Sequence, residues 1–556
     1  MVFVVIVFVL LHFTVKQVAA EEVQCPGVCQ CQNETVALCR DRKISSINIA
    51  REGRLGSVVK ALDFSGNKLC SLSDKMFSVC DVLLLQYLNL SSNHITYIGK
   101  FSFTGLTELE DLDLSRNNIS SIDGEAFYAN LKLSIVRLAN NRLTEINETV
   151  FSPLIRLKYL DLSNNKISSI QKEMFHSNTD LEWLSLTNNS LTAIDPSTFQ
   201  QQSNLTYLDL SGNKITQIKR GMFYNNMELE SLLLGDNKIS ELHPSAFHAD
   251  CGLSYLDVSG NLIEKLENLT FYRLKFLSIS RNKLQRLHSR SFCNCSELRN
   301  LSLSDNDISE INDEAFYGLW QLEYLDLSSN NIKNISLSIF QGMVLQMEGN
   351  MTKSDSMSNL TYLKLSKNKI HYFPFKEYLS LTDSCHTSTK LCKLDLNGNC
   401  LSVLDDESVN VLGNSTVLTE LSDNPWSCNC SEDSSERVYR MLSGNRTLKC
   451  ATPEYSKGKS CSGVKHTCLS TTSTPGTDSS VETEADENLE ENEDENPKLL
   501  TNPESETFPT KILLFVIYVI SMLVAIVIVL VISRAVGKPE PDEYWWEDKL
   551  AKRNYY

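Results

Sequence analysis

The sequence predicts an α/β repeat solenoid, a stack of short coils bent into a horseshoe with a parallel β-sheet on its concave face, joined to one transmembrane α-helix. Three observations carry this. The pattern L-x-x-L-x-L-x-x-N-x-L recurs with its Asn at 67, 93, 117, 141, 165, 189, 213, 237, 261, 282, 306, 330, 368 and 399, and from Asn93 to Asn261 the step is always 24. A Phe stands ten residues after each of the first twelve, from Phe77, Phe103 and Phe127 to Phe316 and Phe340. Finally, Ile512 to Ile532 is a run of 21 residues without a charge, about 30 Å as a helix, the thickness of a bilayer's hydrocarbon core.

Taken in chain order, residues 1–20 read as a signal peptide: Val2 to Phe13 is apolar but short for a span, and Val18-Ala19-Ala20 offers a cleavage site. An uncleaved anchor is the alternative. Residues 59–415 hold about fourteen repeats. In LKYLDLSNNKISSIQKEMF (157–175), Leu157, Leu160 and Leu162 alternate around a short strand and turn one face inward. One coil cannot bury that face alone; neighbours stacked at about 4.8 Å complete it. The Asn is expected to bond backbone groups of adjacent coils. The Phe is expected to fill the convex side and space it wider than the sheet.

These residues resemble leucine-rich repeat proteins of the 24-residue type over roughly residues 59–424, with an ectodomain similar to Toll-like and Slit-like receptors. That resemblance implies end caps. Residues 21–58 (CPGVCQCQNETVALC) resemble the cysteine-rich N-terminal cap, implying Cys25–Cys31 and Cys29–Cys39. Residues 416–468 (NPWSCNC onward) resemble the C-terminal cap, implying Cys428–Cys450 and Cys430 with Cys468 or Cys461. All 17 cysteines precede Ile512, so an oxidising compartment with disulfides is expected and zinc is not. The Asn261–Asn282 step is three residues short, and Cys251, Cys293 and Cys295 flank it; a disulfide across this coil is expected. Longer steps, 38 from Asn330 and 31 from Asn368, mark insertions, the second near Cys385 and Cys392.

The formal net charge is −17, but residues 469–510 carry twelve acidic residues against one Lys, or −11 of it. This Ser/Thr-rich and acidic stretch reads as a disordered stalk. Outside it the chain is near neutral with no basic patch, which argues against nucleic acid as partner. Arg534 and Lys538 follow the apolar segment (511–533) and place residues 534–556 in the cytosol, a single-pass type I topology at the plasma membrane. The 23-residue tail is too short for the signalling domain of Toll-like receptors; Tyr544, Tyr555 and Tyr556, and the Trp545-Trp546 pair, are its docking or membrane-interface candidates.

No HExxH, GxSxG or phosphate-cradling glycine motif occurs, so no catalysis, metal or cofactor is expected. What remains is a surface. The residue before the second strand Leu reads Tyr87, Asp111, Ile135, Tyr159, Trp183, Tyr207, Ser231, Tyr255, Phe276, Asn300, Tyr324 and Tyr362, beside a column of Asp at 63, 113, 161, 209, 257, 326 and 395. Both are expected to face outward on the concave side. The candidate ligand-binding residues are Tyr159, Asp161, Trp183, Tyr207, Asp209, Tyr255, Asp257 and Phe276, because aromatic side chains give large contact area at small entropy cost. Packing of Tyr on Tyr along the ladder is the structural alternative.

Fifteen N-x-S/T sequons are present, with Asn33, Asn147, Asn188, Asn204, Asn268, Asn334, Asn350, Asn359, Asn414 and Asn445 the favoured glycosylation sites. Asn89 and Asn300 also qualify and would project from the concave face. The function this predicts is a non-catalytic receptor or adhesion protein binding a protein ligand or surface receptor, with homo- or hetero-dimerisation left open. The alternatives are an innate-immune recognition or accessory subunit without its own signalling domain, and a shed matrix protein.

Overall fold

The computed structural model describes residues 29–426 apart from 33–34, 46–57, 73–76, 78–81, 249, 267–270, 341–342, 344–358 and 380–390. The leader, Cys25, the cysteines from Cys428 onward, the stalk, the apolar run Ile512–Ile532 and the tail lie outside the described residues. Among the described residues no helix is long and apolar enough to cross a membrane.

Each repeat folds into one coil, entering the sheet as a three-residue strand such as Tyr159–Asp161. Among the described residues, seventeen strands form one sheet. Only its first pair, Gln30–Gln32 with Val36–Leu38, is antiparallel; from there each strand pairs in parallel with the next in chain order (Tyr159↔Trp183↔Tyr207↔Ser231↔Tyr255). The long steps leave this register undisturbed, since Tyr324 pairs with Tyr362 and Tyr362 with Lys393. One further coil follows Asn399: Leu418–Glu420 extends the sheet and Asn424 takes the Asn position, its Oδ1 accepting from the Leu401 N–H at 3.1 Å.

The consensus Leu residues are fully buried and merge into one continuous core. The Asn at each coil's turn ties three backbone segments together. Asn213 Oδ1 accepts from the Leu191 N–H of the preceding coil (3.0 Å). Its Nδ2 donates to the Leu186 carbonyl of that coil and to Leu210 and Ser211 of its own (2.9, 2.9 and 3.2 Å). The same set recurs at Asn165, Asn189 and Asn237. The residue just before the Asn adopts a left-handed backbone, φ +54° at Asn164 and +65° at Gly212. A Cβ at Gly212 would lie 2.1 Å from Asn188 Oδ1, the tip of an exposed side chain that would have to turn aside.

Opposite the sheet, the Phe residues stack ring on ring: Phe151–Phe175, Phe175–Phe199 and Phe199–Phe223 are 6.4, 6.2 and 6.2 Å apart. That spacing exceeds the roughly 4.8 Å between strands, so successive coils fan about the sheet side. A second amide column, not anticipated from sequence, lies three residues after Phe. Asn178 Nδ2 donates to the carbonyls of Phe151 and Leu154 in the coil before (2.9 and 2.8 Å), and Asn130, Gln202 and Asn226 do likewise. The position alternates with Leu106 and Leu154, which hid the pattern.

The short coil drops the three-residue turn after Phe271, so Leu274 directly leads the strand Phe276–Ser278. The ring stack breaks there: Phe247 meets Phe271 edge-on at 78°. The expected disulfide across this coil is not formed; Cys251, Cys293 and Cys295 are thiols. The Phe271 coil stands between Cys251 and Cys295, two coil spacings exceed a disulfide's reach, and the Cys295 sulfur lies against the Phe271 backbone while burial pushes its thiol up to about 12.

Replacing Asn213 by Ala strands a buried N–H and two buried carbonyls, and should destabilise its coil by about 3 kcal/mol. Asn213→Asp keeps the acceptor but sets a charge among carbonyls and should cost more. Amide exchange of Leu191 measures both; equal protection in wild type and Asn213→Ala would refute the role given to this column.

Candidate concave-face binding site

The strands place the candidate residues side by side because each is one residue from a core Leu, on the opposite face. Trp183 lies between Tyr159 and Tyr207 in register, and Ser185 between Asp161 and Asp209. The aromatic row is a set of stacks. Tyr159 and Trp183 are 4.1 Å apart at 7°, Trp183 and Tyr207 5.0 Å apart at 5°, and Tyr255 and Phe276 4.3 Å apart at 1°. The rings are therefore half-buried rather than exposed, each covering its neighbour's face. A partner meets edges, hydroxyls and the ends of stacks.

The Asp column has a local duty that the sequence alone did not disclose. In LDLS the carboxylate Oδ1 accepts from the N–H two residues on: Asp161 from Ser163, Asp209 from Ser211 and Asp257 from Ser259, each at 2.9 Å. This side-chain turn closes the strand's exit. At Asp209 and Asp257 the second oxygen makes no hydrogen bond or ion pair among the described residues. At Asp326, by contrast, both oxygens are engaged, by Ser328, the Tyr324 hydroxyl and Lys364.

Asp111 occupies a position held elsewhere by Tyr, and it is almost fully buried. Arg137 pairs with it at 2.5 Å and lies 5.4 Å over the Tyr159 ring, so Asp111, Arg137, Tyr159, Trp183 and Tyr207 form one continuous assembly. Burial pushes the Asp111 carboxyl up to about 6, opposed by Arg137 and assisted slightly by Asp113. Tyr87 and Tyr159 are raised as well, first by burial and then by nearby carboxylates. Asp161 is raised by burial.

Of the sequons, Asn147, Asn188, Asn204, Asn334 and Asn414 are exposed, as is Asn300 on the concave face. Asn359 is half-buried and its Nδ2 donates to the Trp320 carbonyl. Asn33, Asn268, Asn350 and Asn445 lie outside the described residues. Cys29 is joined to Cys39, and Cys31, Cys392 and Cys400 are also disulfide-bonded; Cys400 was not singled out in the sequence. No group of three or more His, Cys, Asp or Glu arranged to hold a metal ion occurs among the described residues.

Asp111 should titrate with a midpoint near 6, against an ordinary 3.8. The folded state keeps this proton longer than the unfolded one. Its contribution to stability is therefore full below about pH 4 and is lost as pH rises through about 6. A carbon-13 carboxyl titration should show that midpoint moving higher in Arg137→Met, which removes the lowering charge. A midpoint in the ordinary range, or one that falls in the variant, would contradict this geometry.

Comparison with known proteins agrees with the coils described. Residues 121–254 match the "BspA type Leucine rich repeat region (6 copies)", and residues 84–134, 251–308 and 296–351 match "Leucine rich repeat". Among solved structures, the Toll–Spatzle complex of Drosophila is 20% identical with a TM-score of 0.54, over 74% of this chain and 55% of that one. The APL1 leucine-rich repeat domain is 20% identical with a TM-score of 0.51, over 73% and 92%. The LRIM1/APL1C complex is 19% identical with a TM-score of 0.50, over 73% and 64%. Residues 84–351 are thus matched by leucine-rich repeat models, in keeping with the parallel-stranded coils described for them.

Proposed function

We propose that this protein is a type I, single-pass cell-surface receptor or adhesion protein that binds a protein ligand through the concave face of its repeat array, without catalysis. The observation that carries the reading is the ordered aromatic–acidic surface from Tyr159 to Phe276. Stacked rings in fixed register with half-exposed carboxylates form a preorganised surface, which loses little side-chain entropy on binding. The disulfide-bonded cysteines support an oxidising, extracellular setting. The apolar segment 511–533, the acidic stalk 469–510 and the 23-residue tail supply the anchor, the spacer and the cytosolic end. Toll in complex with Spatzle and LRIM1 with APL1C are repeat proteins of this fold bound to protein partners, in keeping with a protein ligand here.

Cells displaying the full chain should bind or aggregate with partner-bearing cells. Trp183→Ala, which removes the middle of the three-ring stack on the concave face, should weaken that binding at least about tenfold, the effect expected at a contact hot spot. Phe276→Ala should weaken it in the same direction, with surface display of both variants unchanged. Undiminished binding by both variants at equal display would remove the concave face from consideration.

A further inference from the structure

The aromatic ladder changes character at one rung. Between the Tyr159–Trp183–Tyr207 stack and the Tyr255–Phe276 pair the row holds Ser231, in register with Tyr207 on one side and Tyr255 on the other. Two strand steps separate those tyrosines, about 9.6 Å. A flat group between two ring faces at van der Waals contact needs about 7 Å, so one such group fits over Ser231 and two do not. The rings on either side lie across the ladder's axis, since each is within 5° of parallel to its stacking partner. Tyr255 uses one face on Phe276 and turns the other toward the Ser231 rung.

The strands at this rung carry acidic residues and no basic ones. Stretches 204–212, 228–236 and 252–260, which carry the three strands, contain Asp209, Glu228, Glu230, Asp236 and Asp257 and no Lys or Arg; of these acids Asp236 is paired with Arg281 from a later coil. Asp209 and Asp257 flank Leu233 in the neighbouring column, each with one oxygen held by its own turn. Glu230 is exposed at the strand's entry beside Ser231. The Tyr255 phenol is raised by burial and by Asp257, which places that carboxylate close to the ring.

The chain shows twice what fits such a place. Arg137 lies over Tyr159 at 5.4 Å while paired with Asp111, and Lys393 lies 4.8 Å over Tyr362 while paired with Glu420. In both, an aromatic rung ends on a cation that a neighbouring carboxylate holds. Resting on the concave-face reading above, we propose that the Ser231 rung, walled by Tyr207 and Tyr255, is a slot for one arginine side chain of the partner protein. The guanidinium lies flat above Ser231 with its N–H edge toward Asp209 and Asp257. Arginine suits it better than lysine, being planar, weakly hydrated and able to pair with two carboxylate oxygens at once.

The test uses the full-length protein and N-acetyl-arginine amide as probe, read by saturation-transfer NMR at millimolar concentration. The probe's side-chain methylenes should receive saturation, and the citrulline analogue, equally flat but uncharged, should give at least about tenfold less. Ser231→Tyr fills the rung; it should keep the melting temperature and abolish the signal. Should that variant fold poorly, the Asp209→Asn, Asp257→Asn double variant serves, with the same loss expected. Equal saturation by the citrulline analogue, or a signal unchanged in a folded variant, overturns the slot. If probe binding fails while Trp183→Ala still weakens partner binding, the slot falls and the concave-face reading stands.

Discussion

Every coil of this protein depends on a buried side-chain amide that joins it to the coil before. At the turn after each strand the backbone leaves regular pairing, and its N–H and C=O groups would be stranded in an apolar core. An unmet buried group costs about 1–3 kcal/mol, repeated at every coil. The Asn supplies an acceptor to the previous coil and donors to three carbonyls, so the penalty is removed and adjacent coils are locked in register together. Gln shares the chemistry but is one methylene longer, and Asp lacks the donors. The left-handed residue before each Asn follows from the same turn, which is why Gly, Asn, Asp and Ser recur there.

That lock fixes the surface proposed to bind. With coils held at a constant step, residues 24 apart sit opposite one another, and rings on the outer face of the sheet stack at 4.1–5.0 Å. The Phe column on the far side is more widely spaced, so coils fan around the sheet side. The ordered face of the sheet is thus a by-product of the scaffold's period, and its variety comes from single-residue departures: Asp111 in a Tyr position, Arg137 in the Asp column, Ser231 in the aromatic row.

The periodic part of this was legible in the sequence. Leu, Asn and Phe spacings define strand, turn and convex packing because each repeats the same contact many times, and the amide column could be anticipated from Asn alone. What was not legible depended on neighbours one coil away. The Asp of LDLS read as an outward carboxylate, yet half of its bonding capacity closes its own strand. The aromatic row read as exposed, yet stacking leaves its rings half-buried. Asn130, Asn178, Gln202 and Asn226 form a second column concealed by alternation with Leu. The cysteines around the short coil suggested a bridge, and the interposed Phe271 coil prevents it. Asn424 continues the ladder from a strand, VLTELSDN, whose poor match to the consensus concealed it.

If the concave face, rather than the opposite side, meets the partner, a glycan placed on each side separates the two. Ser231→Asn with Leu233→Thr creates a sequon in the middle of the sheet face, and Met227→Thr creates one at Asn225, on an exposed loop of the far side. Full-length protein carrying the first glycan should reach the cell surface and lose partner binding, while protein carrying the second should bind as wild type does. Binding that survives the concave glycan and disappears with the other would place the partner on the far side instead.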